Sequence, residues 1–244
     1  MVNHLIRTVG FAWSMRICAF LILALLAVSN LTVRARVGPK PATQLAHLAA
    51  PFREVEFLFL TAGFFFLSFG IFAPLNYIGV EAADAGMRPQ LVQYLVPILN
   101  AASLFGRLFA GFLGDKIGRY NIFVAVCYLS GLWTLALWIP ARSDAALIAF
   151  AVLFGFSSGA YVSLVAPLTM QISPVAEFGF RTGIVFFVSS IGGLTTNPIT
   201  GALIDSPLAF TAAKIFPGVL CVVGTTFVLA ARIRRTGWKL AVAF

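Results

Sequence analysis

Seven apolar runs, each of about twenty residues, constrain this 244-residue chain more than any single motif in it. They cover about residues 16–33, 57–79, 91–111, 122–139, 147–170, 183–204 and 213–231. A run of that length spans a hydrocarbon core of about 30 Å as a helix. Inside such a core no water is present to bond the backbone, so each run must satisfy its own amides and carbonyls. Only 10% of the residues are charged, against about 25% in an ordinary soluble domain. The expected fold is therefore an all-α integral membrane protein with seven transmembrane helices, bathed in membrane lipid.

The net charge of +9 does not point to nucleic acid. Basic residues gather in the breaks between apolar runs, and the aromatic residues sit inside the runs instead of alternating with Lys or Arg. One set of breaks carries Arg34, Arg36, Lys40, Arg53, Lys116, Arg119, Arg181, Arg232, Arg234, Arg235 and Lys239, while the alternate set carries only Arg88, Arg142 and Lys214. By the positive-inside rule the first set is cytoplasmic, with the amino terminus outside and the carboxy terminus inside. A multi-pass protein of the plasma membrane is expected.

The first run has a competing reading as a secretory signal peptide, with Arg7 and Arg16 as its basic region and AVS at 27–29 as a small-residue cleavage site. Against this, its apolar stretch is longer than a typical signal core, and Trp13 and Arg16 are placed as interface anchors. The domain organisation then reads as residues 1–33 for an outer segment and first span, and 34–55 for a basic linker with three prolines. Residues 56–231 form a six-helix bundle, and 232–244 a basic tail.

Chemistry of the enzymatic kind has no foothold. Cys18, Cys127 and Cys221 lie singly in apolar runs, and His4 and His47 stand apart from other ligands. No metal cluster, activated nucleophile or phosphate-cradling loop appears, so neither catalysis nor a cofactor is expected.

The polar residues inside the runs are more informative. Gln93, Asn100, Ser103 and Arg107 follow one another at intervals of seven, three and four, with Gly111 four residues on, which places them along one helical face. Such a stripe faces a bundle interior or a watery cavity, or it serves as interhelical glue through Asn100 and Ser103. Arg107 lies eight residues before Asp115, about 12 Å deeper along a helix. A guanidinium at that depth either snorkels back to the surface or offers a forked donor set to a carboxylate. Asn76 and Tyr77, Ser157, Ser158 and Tyr161, and the run Thr195-Thr196-Asn197-Pro198 are further path-lining candidates. Their alternatives are bonds to their own helix and anchoring at the interface. Gly155 and Gly159 have the GxxxG spacing of a helix-packing face, and Glu177 with Arg181 forms an expected surface pair of small worth.

The stretch GRLFAGFLGDKIGRYN at 106–121 gathers four charges around a glycine turn. Gly111 is expected to let its helix approach a neighbour and Gly118 to permit the turn. Asp115 would cap or pair with helix ends, and Lys116 and Arg119 would hold the loop at the cytoplasmic face. The pattern Gly-x3-Asp-Lys-x-Gly-Arg resembles the signature loop of the major facilitator superfamily, which joins the second and third helices of each six-helix half. The segments GFAWSMRI (10–17), PLNYIGVEA (74–82), LNAASLFGR (99–107) and FGFSSGAYVSL (154–164) are similar to the fungal monocarboxylate-transporter-like branch.

That resemblance implies that residues 10–33 correspond to the sixth helix, 34–55 to the central loop, and the rest to helices seven to twelve. The first five helices have no counterpart. It implies a secondary-active carrier for a small organic anion such as a monocarboxylate, working by alternating access between two halves. The second half would be a partner such as another copy, in a homodimer, or an amino-terminal half. Arg107 matches the family's carboxylate-binding arginine, with Ser103, Asn100, Asn76, Tyr77, Tyr161 and Asn197 as further substrate contacts. Gly111, Asp115, Lys116, Gly118 and Arg119 would form the cytoplasmic gating loop. In animal members an aspartate takes part in proton coupling where this chain has Ser103, so a coupled proton lacks that group here. Rival readings are a non-transporting accessory protein, or a heptahelical receptor, in which the signature loop has no role.

Overall fold

A computed structural model describes residues 2–34 and 45–237. Residues 35–44 of the expected linker, with Arg36 and Lys40, and 238–244 of the expected tail, with Lys239, lie outside them, as do the side chains of His4, Arg7 and His47. The described residues contain seven long helices and no strand: α1 (Val2–Thr32), α2 (Val55–Asp84), α3 (Pro89–Ile117), α4 (Arg119–Leu132), α5 (Asp144–Gln171), α6 (Phe178–Ile204) and α7 (Ala209–Thr236). All seven are long and apolar enough to cross a membrane, α4 through its continuation to Trp138. This is the all-α, seven-span membrane class that the apolar runs require. The helices outrun the apolar segments at several ends, because backbone hydrogen bonding continues into the interface after apolar side chains stop.

Two units are present, one ending before residue 45 and one beginning there. The first is α1, whose helical path breaks at Gly10, where φ is 79° and ψ 166°. Past the break the Ser14 hydroxyl donates to the Gly10 carbonyl at 2.7 Å, and the Arg16 guanidinium lies over the Trp13 ring at 4.9 Å.

In the second unit a 3₁₀ segment, Leu45–Arg53, leads into the six-helix bundle. α2, α4 and α6 run from an end rich in Lys and Arg, and α3, α5 and α7 run back towards it. α2 packs against α6 and α7, α3 against α5, and α4 bridges α5 and α7. The core between them is aromatic: Phe64 meets Phe123 at 5.2 Å and Tyr161 at 5.4 Å between ring centroids.

Between α3 and α5 the contact is backbone to backbone. A Cβ on Gly106 would strike the Phe156 carbonyl, one on Gly155 the Leu99 carbonyl, and one on Gly159 the Ser103 oxygen at 2.6 Å. Between apolar helices in lipid, attraction comes from close packing, and small residues make that approach possible. The GxxxG spacing thus acts as the expected packing face. Gly111 does not: beyond its chain neighbours and the adjacent backbone of its own helix, nothing among the described residues lies within 4 Å of the position its Cβ would take. The close approach belongs to Gly106, five residues earlier, because that position faces α5.

α4 ends in a π-helical turn over Trp133–Trp138. Such widened turns recur at functional positions. Here the turn delivers Trp138 into the core, where its ring stacks on Phe150 at 5.1 Å with only 6° between planes.

Candidate functional site

The charged loop takes its shape from Gly118, whose φ of 102° closes α3 and opens α4 in a conformation that side chains disfavour. Across this break Arg119 donates through both Nε and Nη2 to one oxygen of Asp115, at 3.1 and 2.9 Å. Lys116 folds back over the Phe112 ring at 4.3 Å. Tyr120 anchors the start of α4 by donating to the Leu168 carbonyl of α5 at 3.1 Å. Asp115 and Arg119 both keep solvent access, so their attraction is worth little for stability, and the pair is free to exchange partners.

The α3 stripe divides. Ser103 is buried at the crossing with α5, its oxygen beneath Gly159. Asn100 and Arg107 are exposed on α3 and have no hydrogen-bond or ion-pair partner among the described residues. Arg107 stands ten residues before the end of α3 at Ile117, about 15 Å inside it.

Three other expected residues come together between α2 and α6. Asn76 donates from Nδ2 to Asn197 Oδ1 at 2.8 Å, and the Tyr77 hydroxyl donates to the Asn197 carbonyl at 2.9 Å. Pro198 follows Asn197 inside α6 and has no N–H, which removes one rung of that helix's ladder. Gly201, one turn on, leaves room for the Tyr77 hydroxyl 3.5 Å from where its Cβ would lie. Tyr161 is placed apart from this cluster: it is buried, and its hydroxyl shares a 2.8 Å hydrogen bond with Ser68. The hydroxyls of Ser157, Ser158, Thr195 and Thr196 bond carbonyls of their own helices.

Two ion-paired clusters escaped the sequence reading in whole or part. Arg181 pairs with Glu177 at 2.9 Å, but its stronger partner is Glu54, which takes Nη1 and Nη2 on its two oxygens at 2.6 Å each. The arginine is 1% exposed and lies over the Phe57 ring at 5.6 Å. Its guanidinium holds the Glu54 carboxyl below its ordinary 4.5, chiefly through these hydrogen bonds and against the opposing effect of burial. At the other end of the bundle Lys214 of α7 forms a buried ion pair with Glu81 of α2, and its ammonium lies 5.8 Å from the Trp138 ring centroid. Each residue was visible as a lone charge near the end of an apolar run, but only the adjacency of α2 and α7 makes them partners.

Residues 58–241 match the family model described as the Major Facilitator Superfamily. The whole chain is 52% identical to the MFS transporter asaE of Aspergillus flavus, covering 56% of that protein. It is 44% identical to the fujikurins efflux protein of Gibberella fujikuroi, with all of this chain and 53% of that protein aligned. The agnestins efflux protein AgnL12 of Paecilomyces divaricatus is 32% identical over 97% of this chain and 54% of its own length. The chain therefore spans little more than half the length of these curated relatives.

Proposed function

The chain belongs to the major facilitator superfamily, and from that premise we propose that it forms the solute-binding half of a secondary-active membrane carrier for an organic anion. Arg107 carries this reading. It is a fixed charge about 15 Å inside α3, exposed on the helix surface and without a carboxylate of its own among the described residues. Ionisable groups inside membrane spans are costly, and they mark solute or ion paths unless paired. A forked guanidinium suits a carboxylate better than a neutral solute.

The Asn76–Asn197–Tyr77 cluster supplies neutral hydrogen bonding for the rest of the solute, with Asn100 beside Arg107's face of α3. Alternating access requires a second six-helix half, drawn either from a segment like the remainder of the longer relatives or from another copy. The Asp115–Arg119 pair, exposed and exchangeable, is the element that would engage that half at the gate. The basic end of the bundle faces the cytoplasm in this reading, and the efflux names of the relatives favour export.

The test is transport of labelled organic acids by cells expressing the chain, alone and joined to the amino-terminal half of a relative, with surface levels matched. Arg107→Ala should abolish saturable transport, and Arg107→Lys should retain little of it, because an ammonium lacks the fork. Transport equal to the parent in both variants would overturn the reading.

A further inference from the structure

A groove of about 310 Å³ opens between α2, α5 and α6. Phe72, Val162 and Phe186 form its walls, and Tyr161 and Ser189, each 7% exposed, form its floor. The residues sit near the middle of their helices: Phe72 is twelve residues from the end of α2, Tyr161 ten from the end of α5, and Ser189 eleven from the start of α6. Mid-depth is where carriers of this architecture hold their solutes.

The lining is almost wholly apolar, and two of its rings are set for aromatic contact. Phe72 stands edge-on to Tyr161, with centroids 6.3 Å apart and 88° between planes. The hydroxyl chemistry is also distinctive. Tyr161 is satisfied by Ser68, and Ser190 bonds the Phe187 carbonyl. Ser189 is buried beside the Tyr161 hydroxyl, whose short hydrogen bond goes to Ser68, and its own hydroxyl makes no hydrogen bond of good geometry among the described residues. A buried hydroxyl left unpaired costs free energy that a ligand's polar atom recovers.

Size separates two classes of solute. An apolar cavity of about 150 Å³ accommodates benzene. This groove has twice that volume, so a two- or three-carbon acid would leave most of its apolar wall against water. A fused pair of rings fills it. One helical turn beyond the groove lies the amide cluster: Asn76 is four residues past Phe72, and Asn197 four past Gly193, another lining residue. The Arg107 amide nitrogen packs against Gly159 of α5, two residues before Tyr161, which brings that part of α3 near the level of the groove.

We propose that the solute is a ring-bearing carboxylate whose flat apolar body lies in the α2–α5–α6 groove with a polar edge on Ser189. This deepens the organic-anion reading and rests on it for the carboxylate alone. The groove itself selects the ring system.

The experiment measures equilibrium binding of tritiated 2-naphthoate to the purified full chain in nanodiscs, with unlabelled acetate and neutral 2-naphthol as competitors. Val162→Trp fills the groove from an exposed position, which spares the fold, and each variant is first checked for a monodisperse elution profile. Saturable binding is expected. Val162→Trp should weaken it by about tenfold or more and Ser189→Ala by about threefold, with acetate a poor competitor. Binding that ignores Val162→Trp, displacement by acetate as readily as by 2-naphthol, or no saturable binding to well-folded chain would overturn the proposal. If 2-naphthol binds as tightly as 2-naphthoate, and both respond to Val162→Trp but not to Arg107→Ala, the groove stands and the organic-anion reading falls.

Discussion

Arg181 and Glu54 meet fork to fork, Nη1 and Nη2 each 2.6 Å from a different carboxylate oxygen, although 127 positions separate them in the chain. The contact ties the residue that precedes α2 to the first turn of α6. With Glu177 on Nε, the guanidinium has a carboxylate on three of its donors.

Removing Arg181 leaves two acids facing each other at a buried corner. A charge-assisted hydrogen bond is worth about 1.5–3 kcal/mol, and truncating one member of a buried pair costs about 3–5 kcal/mol. Glu54 keeps 42% of its side-chain surface exposed, so the lower range applies. Arg181→Ala should lower the midpoint of thermal unfolding in detergent by roughly 5–10 °C. Arg181→Lys should recover less than half of that loss, and an unchanged midpoint in Arg181→Ala would show that the clasp does not stabilise the bundle.

The same contact makes stability depend on acid. The folded protein holds the Glu54 carboxyl below 4.5, so the clasp contributes fully above that value and is lost as pH falls through the lowered one. Thermal midpoints of the parent and Glu54→Gln should therefore differ most above about pH 5 and converge in stronger acid. A constant difference across that range would contradict the assignment.

At the opposite end, Glu81 and Lys214 are 5% and 6% exposed. Lys214→Met alone leaves an acid buried without its base and should cost about 3–5 kcal/mol. The double variant Glu81→Leu/Lys214→Met should restore most of that loss, because packed apolar groups avoid the desolvation of two charges. A double-mutant cycle by chemical denaturation reads the coupling directly. Additive losses would mean that the two charges act independently.

The glycines of α3 differ in what they exclude. Gly106→Ala drives a methyl into the Phe156 carbonyl and should prevent a monodisperse bundle, whereas Gly111→Ala enters open space. The latter removes a flexible helical glycine and should raise stability by about 0.5–1 kcal/mol. If Gly111 serves the gate, its alanine variant will lose transport without losing stability, and size-exclusion profiles paired with uptake separate the two effects.

The apolar runs were enough to establish the membrane class and the seven spans, since helix length against bilayer thickness is a property of neighbouring residues. The charged loop resembles the signature of the superfamily that the comparisons show, though not of a particular branch within it. The amide cluster was legible residue by residue as Asn76, Tyr77 and Asn197, but that they meet was not. The spacing puts the α3 stripe on one face, yet Ser103 turns into the α5 crossing while Asn100 and Arg107 stay exposed. Only the tertiary structure decided which side of each helix meets a neighbour. It paired Glu54 with Arg181 and Glu81 with Lys214, and it set Ser189 in the floor of an apolar groove without a hydrogen bond of good geometry among the described residues. In lipid every helix is apolar nearly all round, so hydrophobic periodicity carries little of that information. Close packing at small residues and the pairing of buried polar groups supply it instead.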